Sequence, residues 1–197
     1  MDLPDVKNMI REIVIPEEAN LNRAAECLTK RGWIKDIAGE ENFGRGVKAM
    51  AYAAVNHLGI FVTGEPGTGK TRYLEAVTEP LRLRRQLCIY RLKDPCDADR
   101  LNRFDYPDAY DEALTMDVFI DDLGAEARIN HYGLVFEPVM DFIFAYMTRG
   151  NGRLFINSNL RGEALLERYT ARIDQLKEFV IPLHFTGKGV RQWMLPL

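Results

Sequence analysis

Apolar residues along this chain follow two different periods. Phe43, Val47, Met50, Ala51 and Ala54 recur at i, i+4, i+7, i+8 and i+11, the stripe of an amphipathic helix, with Asn42 as its predicted N-cap and Gly59 as its stop. The run Gly59-Ile60-Phe61-Val62-Thr63 then reads as a buried strand. A second helix is predicted from about Lys70 to Pro80, where the missing amide donor breaks the ladder or restarts it. Leu87–Tyr90 and Asp117–Asp121 have strand composition. Pro138 suits the first turn of a helix that turns Val139, Phe142, Ile143 and Tyr146 inward and ends at Arg149-Gly150. Leu154-Phe155-Ile156 is a further strand, expected between the other two. A helix over Glu163–Leu176, with Leu165, Tyr169, Ile173 and Leu176 on its core face, precedes a last strand, Phe179–Phe185. Residues 93–112 hold Pro95, Pro107 and seven acidic side chains, so they read as an irregular connection with room for a short helix. Strands alternating with helices predict a parallel sheet covered on both faces, with ligand at the carboxyl ends of the strands.

Composition adds little to this pattern. At 197 residues, 47% apolar and 28% charged, the chain fits one compact unit over 42–197, preceded by a short helical segment, 1–41, that includes Leu21–Leu28. A net charge of −3 gives no global attraction to nucleic acid, so such contact must come from a local patch. Cys27, Cys88 and Cys96 lack disulfide or zinc spacing and suit a reducing compartment. The acidic N-terminus has no apolar signal core, and Glu137 and Asp141 interrupt the apolar stretches. The expectation is a cytoplasmic protein with no membrane contact.

Candidate chemistry begins directly after the first strand. Gly64-Glu65-Pro66-Gly67-Thr68-Gly69-Lys70-Thr71 is a complete G-x-x-x-x-G-K-T phosphate-binding loop between a strand and a helix. Its amides wrap a polyphosphate, Lys70 reaches the β- and γ-phosphates, and the Thr71 hydroxyl ligates Mg²⁺ at a helix N-terminus. About fifty residues on, Val118-Phe119-Ile120 ends in Asp121 and Asp122. Asp121 is the expected metal-side carboxylate, and Asp122 the group that orients or deprotonates the attacking water, with Glu126 as a weaker rival. Asn157-Ser158-Asn159 either turns the chain or places Asn159 as a sensor of the γ-phosphate. Arg168, Arg172 and Gln175 share the second face of the following helix, the place for an arginine acting on a neighbouring subunit's phosphates or for a solvated basic face.

Taken in order, Gly64–Thr71, Val118–Gly124, Asn157–Leu160, Glu167–Ile173 and Gly187–Arg191 resemble the AAA+ ATPases of the initiator and helicase-loader branch, specifically DnaC-type loaders and IstB-type transposition ATPases. The resemblance covers roughly residues 42–191. It implies an α/β three-layer fold with a five-stranded parallel sheet and a helical lid that is short or absent. It also implies an ATP-hydrolysing homo-oligomer using ATP and Mg²⁺, with Arg172 as a finger across subunits, acting in DNA replication through a replicative helicase or in transposition through a transposase. Single-stranded DNA contact is implied near the strand that follows the first helix, where Arg82, Arg84, Arg85, Arg91 and Lys93 form the densest basic cluster. The chain departs from the loaders at Gln175, where they carry Arg, and at Gly189, where they carry Ser; Arg191 is a candidate second sensor. A small-molecule kinase and a non-hydrolysing nucleotide-binding adaptor are the alternative readings.

Overall fold

The computed structural model describes residues 14–82, 86–127, 129–131 and 134–187. Its elements, in chain order, are α1 (Glu18–Lys30), α2 (Lys35–Ala38), α3 (Glu40–Asn56), β1 (Gly59–Gly64), α4 (Lys70–Arg82), β2 (Leu87–Arg91), α5 (Pro95–Asp99), α6 (Pro107–Ala113), β3 (Asp117–Leu123), β4 (Ile129–His131), β5 (Leu134–Phe136), α7 (Pro138–Arg149), β6 (Leu154–Ser158), α8 (Gly162–Tyr169), a 3₁₀ segment (Thr170–Glu178) and β7 (Val180–Phe185). β2, β3, β6, β1 and β7 lie in that order in one parallel sheet, while β4 and β5 form a separate antiparallel pair. Every strand of the sheet therefore ends at the same edge, where β1 delivers the phosphate loop.

Side chains alternate across the strands and feed two cores. On one face Ile60, Val62, Phe119, Phe155 and Phe185 pack under α1, α3 and α4; on the other Phe61, Val118, Ile120, Leu154 and Ile156 pack under α6, α7, α8 and the 3₁₀ segment. Such strands are apolar at successive positions because both faces are covered. The segment ahead of α3 joins the first core. Trp33 is fully buried, with ring centroids 4.7 Å from Tyr73, 5.5 Å from Phe43 and 5.6 Å from Phe185. Among the described residues no helix is long and apolar enough to cross a membrane.

Several local expectations need correction. Gly39, not Asn42, caps α3, and Asn42 turns inward to tie that helix to the chain after β7. α4 continues through Pro80 to Arg82, since proline near a helix end forfeits one amide bond while keeping a helical φ. β3 and β6 each run two residues beyond the expected strands, taking in Asp122 and Leu123, and Asn157 and Ser158. The helix expected over Glu163–Leu176 divides at Tyr169, whose ψ of 5° leads into the 3₁₀ segment, yet Leu165, Tyr169, Ile173 and Leu176 are all buried as expected. The connection over 93–112 contains two short helices, each opened by a proline.

Asn42 is 6% exposed and bonds both the amide and the carbonyl of Thr186, at 3.0 and 2.8 Å. Asn42→Ala leaves both backbone groups without these bonds, so we expect a loss of about 1–3 kcal/mol. At this chain length that lowers the melting temperature by roughly 2–12 °C. Thermal melting followed by circular dichroism checks it, and an unchanged midpoint would show that the clamp contributes nothing.

Candidate functional site

The loop after β1 is shaped by positive-φ glycines. Gly69 sits at φ 85°, and a Cβ on Gly64 would lie 2.5 Å from the Phe185 carbonyl, so side chains are excluded from both positions. Lys70 is 5% exposed, and its ammonium donates to the carbonyls of Gly64 and Glu65, at 2.8 Å each. The Thr68 hydroxyl donates to the same Glu65 carbonyl at 2.9 Å. Burial lowers the Lys70 ammonium to about 8; the nearby carboxylates of Asp122, Glu65 and Asp121 oppose that shift, and Lys93 adds to it.

β3 supplies the carboxylates through an irregularity. Its register on β6 shifts between Ile120 and Leu123, and Asp122 takes the left-handed conformation at φ 63°, which Asp tolerates better than most residues. The two successive carboxylates thereby meet different partners. Asp121 accepts from the Thr71 hydroxyl at 2.9 Å and from the Asn157 side-chain amide at 2.5 Å. Asp122 accepts from the Asn159 amide at 2.8 Å on one oxygen and pairs with the Lys93 ammonium at 2.7 Å on the other. The Asn157 side-chain oxygen, Oδ1, accepts from the backbone N–H of Asp122 at 2.8 Å, fixing the bulge itself. The structure thus brings Lys70, Thr71, Asp121, Asp122 and Asn159 to one edge of the sheet. It adds Asn157, which sequence reasoning left in a turn; its one signal was an amide continuing an otherwise apolar strand.

Glu126 has a different setting from either expectation, water-activating base or loop charge. It is 7% exposed, accepts from the Gly124 amide at 2.8 Å and from the Tyr169 hydroxyl, and pairs with Arg168 at 3.2 Å. Its oxygens are occupied in joining the loop after β3 to α8. Burial and the adjacent Glu126 carboxylate both push the Tyr169 phenol up, so it remains the donor of that bond. Arg168 is consequently taken up by Glu126 rather than sharing a free face with Arg172 and Gln175. Arg172 lies in the 3₁₀ segment, and its side chain is outside the described residues, as are Arg84, Arg85, Gly189, Arg191 and the side chain of Arg82. Of the expected basic cluster, Arg91 pairs with Glu75 at 3.2 Å and Lys93 with Asp122, so neither stands as a free cation.

The donor set fits a magnesium ion brought in with phosphate. Thr71 and Asp121 offer hard oxygens side by side, while no cluster of three or more His, Cys, Asp or Glu side chains among the described residues forms a complete protein cage. Mg²⁺ is held in this way, by one or two protein oxygens together with substrate phosphates and water.

No protein-family model matches the chain, and no curated protein matches it in sequence. Solved structures do match. A replication initiator DnaA bound to AMPPCP and single-stranded DNA superposes with a TM-score of 0.53 at 18% identity, over 77% of this chain and 48% of that one. AMPPCP-bound DnaA from Aquifex aeolicus gives 0.51 at 15%, over 85% of this chain and 56% of that one. The DnaC helicase loader gives 0.50 at 16%, over 89% and 95%. The chain thus spans about half the length of the DnaA structures it matches. Both the sheet order and these superpositions lead to one conclusion: the chain shares the fold of the DnaA and DnaC structures, a five-stranded parallel sheet covered by helices on both faces.

Proposed function

We propose that this chain binds MgATP and hydrolyses it as a homo-oligomeric switch of the DnaC or IstB kind, serving helicase loading in DNA replication or DNA transposition. The observation that carries this reading is the division of labour between adjacent carboxylates. Asp121 is bonded to the loop threonine, while Asp122 is held beside it by Asn159 and Lys93. That arrangement supports a metal-side role for the first and a water-side role for the second, the two roles that phosphoryl transfer to water requires. Bound Mg²⁺ would neutralise charge on the β- and γ-phosphates. The chain's own residues do the rest: the loop amides and Lys70 hold the phosphates, Thr71 and Asp121 hold the metal, Asp122 takes the proton of the attacking water, and Asn159 fixes Asp122 and senses the terminal phosphate. The nucleotide and single-stranded DNA bound to one DnaA neighbour, and the loader role of DnaC, support a replication setting. Arg172 as a finger toward a neighbouring subunit and single-stranded DNA contact through Arg82, Arg84 and Arg85 belong to the same proposal. With Arg91 and Lys93 paired, the DNA patch narrows to those three arginines.

Lys70→Ala is expected to abolish MgATP binding, and Asp122→Asn to retain binding while kcat falls by roughly 10²-fold or more. Fluorescent-nucleotide titration and phosphate release measure the two. Near-normal turnover in Asp122→Asn would remove Asp122 from the water-activating role.

The lowered Lys70 ammonium gives the site a pH dependence of definite sign. Lys70 is charged below about pH 8 and loses its proton as pH rises through that value, so phosphate affinity should fall on the alkaline side. Between pH 7 and pH 9 the dissociation constant for MgATP should rise by roughly tenfold. Titration across that range checks it, and a flat profile would count against a buried, partly neutralised lysine.

If Arg172 acts on a neighbour, specific activity should rise with protein concentration, and Arg172→Ala should bind ATP yet hydrolyse it poorly. Mixing Arg172→Ala with Lys70→Ala should restore part of the turnover, since one contributes an intact pocket and the other the arginine. An assembled mixture with no rescue, alongside concentration-independent wild-type activity, excludes the trans role.

A further inference from the structure

A second arginine approaches the phosphate loop from within the same chain. The turn after β6 is fixed at Leu160, whose amide donates to the Ser158 hydroxyl at 3.0 Å, and Asn159 reaches back to Asp122. Two residues beyond Asn159, the Arg161 guanidinium meets the Glu65 carboxylate at 2.5 Å. Glu65 is the residue whose backbone carbonyl holds the Lys70 ammonium. Arg161 and Lys70 thus converge on one residue of the loop, the first on its side chain and the second on its main chain. Arg161 has no other ion pair among the described residues.

This pair is poorly explained as a structural brace. Its side chains are 53% and 55% exposed, and ion pairs so open to water contribute little to stability. The loop already has internal supports in Thr68, Lys70 and its glycines. A carboxylate at the rim of a phosphate-binding loop also opposes the approach of an anion unless a cation neutralises it. A planar guanidinium forms its strongest bonds with phosphate oxygens in a paired, charge-assisted geometry, so an arriving terminal phosphate competes well with an exposed carboxylate for Arg161.

We propose that Arg161 binds the terminal phosphate of the nucleotide in cis, with Glu65 as the partner that holds the guanidinium at the rim and releases it to the triphosphate. The inference rests on the nucleotide-binding reading above and goes further: the site tells triphosphate from diphosphate through this arginine. Neighbouring charge agrees with the placement, since Arg161 and Lys70, together with Arg45, help keep the His184 imidazole below its ordinary value, after burial.

The test compares dissociation constants for AMPPCP and ADP, each with Mg²⁺, on the 197-residue chain and its Arg161→Ala, Arg161→Lys and Glu65→Gln variants. Thermal melts establish that each variant folds. Arg161→Ala should weaken AMPPCP by about tenfold or more while ADP stays within about twofold; Arg161→Lys should lose part of the preference, because an ammonium cannot bond in the paired geometry. Glu65→Gln, which frees the guanidinium, should tighten AMPPCP more than it tightens ADP. Equal losses for both nucleotides in Arg161→Ala, or none, would overturn the terminal-phosphate role and leave nucleotide binding intact. A wild-type protein that binds neither nucleotide, and behaves as Lys70→Ala does, would overturn the nucleotide-binding reading and the role of Arg161 with it.

Discussion

Everything at the carboxyl edge of the sheet depends on how one buried carboxylate is satisfied. Asp121 is 7% exposed, and it accepts hydrogen bonds from two neutral donors, the Thr71 hydroxyl and the Asn157 amide, with no ion pair to it among the described residues. Burying an ionised group is costly unless its charge is balanced. Two neutral hydrogen bonds orient the carboxylate without an ion pair, which suits the metal-side role proposed for Asp121. Those same bonds tie the start of α4, the end of β3 and the end of β6 into one unit.

The opposite end of β3 shows what a balanced carboxylate looks like. Asp117 is also buried, but it accepts from the Arg153 amide at 2.7 Å and pairs with the Arg153 guanidinium at 3.2 Å. Breaking such a pair would strand a buried charge, which makes it a structural clasp between β3 and β6. One strand therefore carries an ion-paired aspartate at its beginning and, among the described residues, one without an ion pair near its end. The difference lies in their direct hydrogen-bond partners, and the second residue sits where parallel α/β sheets place their ligands.

The sequence was most legible where local chemistry is strict. A strand leading into Gly64–Thr71 permits few alternatives, and the apolar runs of β1, β3 and β6 indicated buried parallel strands with the carboxylates of Asp121 and Asp122 at a strand end. Legibility ended where a side chain's role depends on a partner far along the chain. Asn42 resembles a cap until Thr186 lies beside it, and Glu126 resembles a loop charge until Arg168 and Tyr169 enclose it. Asn157 and Ser158 suggest a turn because polar residues close strands more often than they extend them. Here the amide extends the strand because Asp121, Asp122 and Thr71 give it partners. Lys93, grouped by sequence with a basic cluster, proves to face the carboxylate it neutralises.

Glu126 also connects the phosphate site to the segment that bears Arg172. The chain passes from the bulge at Asp122 through Gly124, whose amide donates to Glu126, and Glu126 in turn holds Arg168 and Tyr169 at the point where α8 gives way to the 3₁₀ segment. The Tyr169–Glu126 bond is buried and the other two are half-buried, and removing one partner would leave a charged group short of a bond, so they resist stretching. A movement of the bulge must therefore either break this cluster or carry the end of α8 with it. The second route preserves these bonds, which makes the link stiff from Asp122 to the start of the 3₁₀ segment, the segment that holds Arg172.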